Sequence, residues 1–348
     1  MTTQEQVKDV VSQVLADKAD KGGIKRVVWI GAGGSNGGNY PAQYFMEHEA
    51  TQVVSSSYTS NEFVHATPAY VNENTLAVVV SMRGTKETIV AAQCQGHGAS
   101  TIAIYVDESG LTEVCDYKIQ YDSLAVDESC MGRTNSAVVT MIAMELTQQT
   151  EGYAEYETAM AAFDLVDPIY RKAVEYTRPL AAKWAEQNAD KPCINVMAQG
   201  PLFGAAYVFS ICNVQEMLQI DSCTINTCDF FHGPFEILDK RTSLFQLISV
   251  GRSRCNDERG IRFVNQYGGE RVYQLDAKEL GLNDIKDSVS EYFNHLIFAP
   301  DPQQRVHACA LCRPPTKDYM TRRTCGSWTT KSYAVLPNRV TGRRCKPT

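Results

Sequence analysis

The chain predicts an α/β fold of two lobes, each a parallel sheet flanked by helices, on three observations. Short apolar runs closed by glycine alternate with helical patterns, as parallel strands covered on both faces require. The scheme occurs twice along the 348 residues, an internal repeat. Glycine-rich and hydroxyl-rich turns follow the strands, at the edge where such sheets bind ligands.

The elements follow in order. A helix over about residues 4–20 leads into Arg26-Val27-Val28-Trp29-Ile30, a buried-type strand bounded by Gly31. Gly33-Gly34-Ser35 then opens a helix around Pro41–Glu49, and strands follow near Val53–Tyr58, Leu76–Ser81 and Thr101–Val106, with a helix at Lys86–Gln95. Residues 151–190 read as linking helices. The second half repeats the scheme: strand Cys193–Met197, turn Gln199-Gly200-Pro201, helix Gly204–Ile220, strands Cys223–Thr227, Leu244–Val250 and Arg271–Leu275, and a helix near Asp257–Tyr267.

Composition narrows the function classes. With 44% hydrophobic and 21% charged residues the chain reads as a soluble globular protein. No apolar run reaches the roughly 20 residues of a membrane helix, and the start reads as no signal peptide, so a cytoplasmic location is expected. A net charge of −7 speaks against general nucleic-acid binding. Twelve irregularly spaced cysteines read as reduced thiols. The charge is uneven: residues 301–348 carry +8, leaving −15 on residues 1–300.

Two groups of residues carry chemistry. Phe230-Phe231-His232-Gly233-Pro234-Phe235-Glu236 places an imidazole at a loop and helix start, with Glu216 sixteen residues upstream on a helix. An imidazole beside a carboxylate suits proton transfer. Ile211, Cys212, Val214, Met217 and Leu218 promise Glu216 an apolar setting that would lift its affinity for a proton. In the first half, Gly31–Ser35, Ser60-Asn61-Glu62-Phe63 and Ser81–Thr88 lie after strands; hydroxyls around a glycine at a helix start can hold a phosphate. Blander readings stand beside these: a capped turn for Ser81–Thr88, a solvated helix residue for Glu216, and a helix-start hydrogen bond for His232. His307 with Cys309 and Cys312 lacks a second ligand pair, so no metal site is expected.

These residues resemble the sugar isomerase (SIS) family, most closely its deglycases for phosphorylated sugar–amines and more distantly the isomerase half of glucosamine-6-phosphate synthase. The resemblance covers about residues 20–298 and rests on the double repeat, the Gly-Gly-Ser loop, the Ser/Thr-rich loop and Phe-His-Gly-Pro. It implies two SIS domains, residues 20–150 and 191–298, joined by residues 151–190. It implies that Gly34, Ser35, Ser81, Thr85 and Thr88 bind the phosphate, with Arg83 adding charge. Glu216 would be the general base and His232 would open the sugar ring. The implied substrate is a 6-phosphorylated sugar–amine such as fructoselysine 6-phosphate or glucoselysine 6-phosphate; no cofactor is needed, and the enzyme is expected as a homo-oligomer. Two departures stand out: the Ser81–Thr88 loop is one residue shorter than the relatives' pattern, and Cys228-Asp229-Phe230 replaces Gly-Glu-Phe. Asp229 thus keeps the carboxylate on a shorter arm beside the substrate. An aldose–ketose phosphosugar isomerase and a non-catalytic sugar-phosphate sensor are the alternatives; Glu216 and His232 together favour an enzyme.

Residues 299–348 form an atypical basic tail with six of the thirteen prolines and no apolar periodicity. Shifted by one frame, the codons for Thr324–Lys331 can read Met-Trp-Lys-Leu-Asp-Tyr-stop, similar to the relatives' ending. The same shift over Ala299–Leu311 allows Leu-Ile-Leu-Asn-Asn-Val-Tyr-Met-Arg-Ala-Leu. The tail therefore reads as out of frame around an in-frame island at Lys317–Arg323, the alternative being a genuine basic extension.

Overall fold

A computed structural model describes residues 1–122, 131–188 and 191–298. The tail and its proposed frame disturbances lie outside the described residues, as does the pattern beginning at His307.

The first lobe runs α1 (Thr3–Lys18), β1 (Arg26–Gly31), α2 (Gly34–Gly38), α3 (Tyr40–Glu49), β2 (Val54–Thr59), α4 (Ser60–His65), β3 (Thr75–Val80), α5 (Lys86–Gly96), β4 (Ser100–Tyr105), α6 (Gly110–Val114) and β5 (Tyr117–Gln120). Its five strands lie in the order β2-β1-β3-β4-β5, and every neighbouring pair is parallel. Val27–Ile30 and Thr75–Val80 are buried throughout, so these central strands read as unbroken apolar runs. One face packs on α1 and α3 through Val7, Val11, Phe45 and Met46; the other packs on α5 through Val90 and Cys94. At the β2 edge, Trp29 is fully buried and donates its indole N–H to Ser55 Oγ at 2.8 Å.

Two long helices follow. In α7 (Asn135–Glu151), every residue from Ser136 to Thr147 is buried. A helix enclosed on all sides has no polar stripe to reveal its period, and the sequence reading leaves it unassigned, along with β5. The expected linking helices are one helix, α8 (Tyr156–Asn188), despite Pro168 and Pro179 inside it. Its stripe of Ala159, Phe163, Val166, Tyr170 and Ala173 is buried, and that burial outweighs the hydrogen bonds the prolines cannot make.

The second lobe runs β6 (Cys193–Ala198), α9 (Phe203–Val208), a π-helical segment Phe209–Leu218, β7 (Asp221–Asn226), β8 (Leu244–Ile248), α10 (Arg254–Tyr267) and β9 (Val272–Asp276). Its four parallel strands lie in the order β7-β6-β8-β9. Met197, Ile225, Phe230, Leu244 and Val264 pack on the α10 side, while Trp184, Ile194 and Val214 pack on the other. The short helices α11 (Asp287–Ser290) and α12 (Asn294–Ile297) end the described chain. An apolar cavity of about 100 Å³ lies between α8 and β8–β9, lined by Tyr170, Val174, Phe245, Tyr273, Ile297 and Phe298 among others.

Candidate active site

The candidate site begins where β1 and its neighbour β3 end. After Gly31 the chain turns through Gly33, whose φ of 56° suits glycine, into α2, and the Ser35 N–H donates to the Ala32 carbonyl at 3.1 Å. Ser81 follows β3 directly. Its Oγ accepts the Gly84 N–H at 3.1 Å, and its hydroxyl donates to Glu87 Oε2 at 3.4 Å. The same carboxylate oxygen accepts the Thr85 N–H at 3.2 Å and the Thr85 hydroxyl at 3.5 Å. Glu87 is 5% exposed, so the loop is wound around a buried carboxyl group that orients Ser81 and Thr85 together. Gly84 has φ 57°, and a side chain there would begin 2.5 Å from Leu111 Cβ; glycine is required. Thr88, one turn into α5, lies against Gly110. Arg83 is half-exposed and paired with Asp107 at 2.8 Å.

The loop holding Gly34 and Ser35 reaches the Glu216 helix by a glycine-to-glycine approach. A Cβ on Gly37 would lie 2.2 Å from Val208 Cγ2, and one on Gly204 would lie 2.6 Å from the Gly37 carbonyl oxygen. α2 therefore sits directly on α9, which continues into the π-helical segment bearing Glu216. The expected continuous α-helix over Gly204–Ile220 thus widens at Phe209, and it ends at Gln219 in a left-handed conformation, φ 57°. π-helical turns occur often at functional sites. The apolar setting expected for Glu216 is only partly formed. Val214 and Leu218 turn into the core while Glu216 stands half-buried.

His232 closes a short 3₁₀ turn, Phe230–His232, after β7, and a second one starts at Pro234. The expected helix start is therefore a pair of single turns joined by Gly233 at φ 144°. Phe230 is buried and anchors the loop, while Asp229 and His232 are exposed. The Asp229 carbonyl accepts the His232 N–H at 2.9 Å.

Several polar groups around α2 escaped the sequence reading. A Cβ on Gly38 would lie 2.4 Å from Asn135 Nδ2 and 3.0 Å from Ser136 Oγ, so the start of α7 faces the Gly34–Gly38 turn. Thr134-Asn135-Ser136 ahead of an apolar run is a helix-start signature that could have flagged them. Tyr40 packs on Phe203 at 5.7 Å, and burial raises its phenol pKa, with Tyr207 adding to the effect.

No protein-family model matches the chain. Among curated proteins it is similar to the fructosamine deglycase FrlB of Bacillus subtilis (strain 168), 33% identical over 277 residues that span 79% of this chain and 84% of that protein. It is also similar to fructoselysine 6-phosphate deglycase of Escherichia coli (strain K12), 26% identical over 225 residues, 63% of this chain and 64% of that protein. Among solved structures, a Salmonella typhimurium LT2 protein provisionally named a phosphosugar isomerase superposes with a TM-score of 0.84 and 33% identity, covering 90% of this chain and 95% of that one. The C-terminal domain of glucosamine-fructose-6-phosphate aminotransferase from Francisella tularensis shares the fold, with a TM-score of 0.69 at 14% identity over 89% of this chain and 94% of that one.

Proposed function

We propose that this chain, which belongs to the deglycase branch of the sugar isomerase (SIS) family, splits a 6-phosphorylated sugar–amine into a hexose 6-phosphate and a free amine. Glucoselysine 6-phosphate and fructoselysine 6-phosphate are the substrates of choice. One observation carries the reading: two hydroxyl-bearing strand-end loops lie side by side, and one of them packs on the helix that carries Glu216.

In this reading Gly34, Ser35, Ser81, Thr85 and Thr88 receive the phosphate at the head of α5, the Ser81 and Thr85 hydroxyls exchanging Glu87 for the ligand, and Arg83 lends charge from the rim. His232 takes the proton of the anomeric hydroxyl and returns one to the ring oxygen, opening the sugar. Glu216 then removes a proton from the carbon bearing hydrogen beside the carbonyl or amine and returns it to the adjacent carbon. The carbonyl oxygen takes up a proton to become a hydroxyl while the amine nitrogen loses its own, which leaves a carbon–nitrogen double bond. Water adds to the imine carbon, the carbon–nitrogen bond breaks, and the amine departs with the proton. The substrate's own nitrogen accepts the electron pair, so the step calls for no electron-sink cofactor. Asp229, three residues before His232, would contact the amine or the sugar.

We also place the enzyme in a homo-oligomer, as the family resemblance implies, and in the cytoplasm. The free thiols and the lack of any membrane-crossing helix among the described residues accord with that location. The test is incubation with each phosphorylated sugar–amine and assay of both products. Free lysine with glucose or fructose 6-phosphate is expected. Hexose phosphate interconversion with no amine release would make the chain an isomerase instead.

A further inference from the structure

The backbone hydrogen bonds within the His232 loop are short-range, closing its two single turns, and rings hold it to α10. Arg259, Phe263 and Tyr267 recur every four residues along that helix and so share a face. Phe263 meets Phe231 edge-on, with centroids 5.4 Å apart at 88°, and meets Phe235 at 5.8 Å and 80°. Tyr267 extends the ladder, 4.5 Å from Phe263. The guanidinium carbon of Arg259 lies 3.9 Å from the centroid of the Phe231 ring. Phe231 directly precedes His232, and Phe235 follows Gly233-Pro234, so the braced rings stand on both sides of the imidazole in sequence.

α10 itself is anchored separately. Asp257 is fully buried and accepts the Ser249 N–H at 2.9 Å, the Ser249 hydroxyl at 2.7 Å and the Gln199 amide at 3.0 Å. Arg259 is exposed, and the attraction of a guanidinium for a ring face is electrostatic, supplied by the ring quadrupole. A leucine, shorter and uncharged, would supply none of that attraction.

We propose that Arg259 is a positioning residue for His232, its guanidinium clamping the Phe231 ring so that the neighbouring imidazole is presented in one orientation. The proposal rests on the functional reading above, in which His232 takes part in turnover. It is tested with R259L, R259K, H232A and the α10 surface control R262L, on glucoselysine 6-phosphate and fructoselysine 6-phosphate, measuring kcat, KM and Tm. R259L should lower kcat about tenfold with KM within about twofold, since small misplacements of a reacting group cost rate rather than binding. R259K should restore most of kcat, and Tm should not move. Normal kcat in R259L beside an inactive H232A overturns the clamp and leaves the functional reading standing. R259K no better than R259L, an equal loss in R262L, or a parallel fall in Tm also overturns it. Normal turnover in H232A, or no amine release from either substrate by the unmutated protein, removes the functional reading and the clamp with it.

Discussion

Glu87 shows how a single buried carboxyl group can organise a loop. Its oxygen takes the Thr85 N–H and the hydroxyls of Ser81 and Thr85. Glu87→Ala would leave the part-buried Thr85 amide without its partner, at a cost of about 1 kcal/mol. The expected outcome is a KM for the phosphorylated substrate raised about tenfold, equivalent to ~1.4 kcal/mol, with kcat less affected. An unchanged KM would show that the loop keeps its shape without the carboxylate. Ser81 and Thr85 were legible in the sequence because hydroxyls around a glycine form a pattern. Glu87 was not, since an acid in the first turn of a helix usually serves only the helix dipole. Asn135 and Ser136 were hidden for another reason: they meet the Gly34–Gly38 turn only through tertiary packing.

At the scale of elements, the strands near the centre of each sheet were readable to within a residue or two, because strands buried on both faces are continuous apolar runs. α7 lacked a readable period because it is buried on every side, and α8 read as several helices because its prolines suggested breaks. The π-helical segment bearing Glu216 has no local sequence signal; the winding follows from seating Val214 and Leu218 in the core before the turn at Gln219. α12 carries a separate, testable consequence. His295 is buried against the core, and burial lowers its pKa from 6.5 to about 4. Between those values the unfolded chain holds a proton that the folded chain does not, so stability falls as pH drops through that window. The limiting slope is about 1.4 kcal/mol per pH unit. His295→Leu should flatten the slope, read from urea midpoints at pH 7 and pH 5. Identical pH dependence in both proteins would mean that His295 gains a proton without cost.

At the scale of the whole molecule, Ile297 and Phe298 help to line an apolar cavity, and the sequence changes character immediately afterwards. The shifted frame would place Leu-Ile-Leu directly after that cavity, whereas the written sequence continues Ala299-Pro300-Asp301-Pro302. A chain rebuilt in the alternative frame, ending Arg-Tyr-Met-Trp-Lys-Leu-Asp-Tyr, should melt higher and turn over faster than the written chain. Equal melting temperatures and equal turnover would establish the basic tail as native. If Glu216 moves the proton that makes the carbon–nitrogen bond hydrolysable, lysine release by the unmutated protein and by Glu216→Gln on the same phosphorylated sugar–amine is the decisive comparison. A loss of about a hundredfold or more with an unchanged melting temperature is expected, the usual scale for removing a general base; equal rates from the two proteins would remove Glu216 from the chemistry.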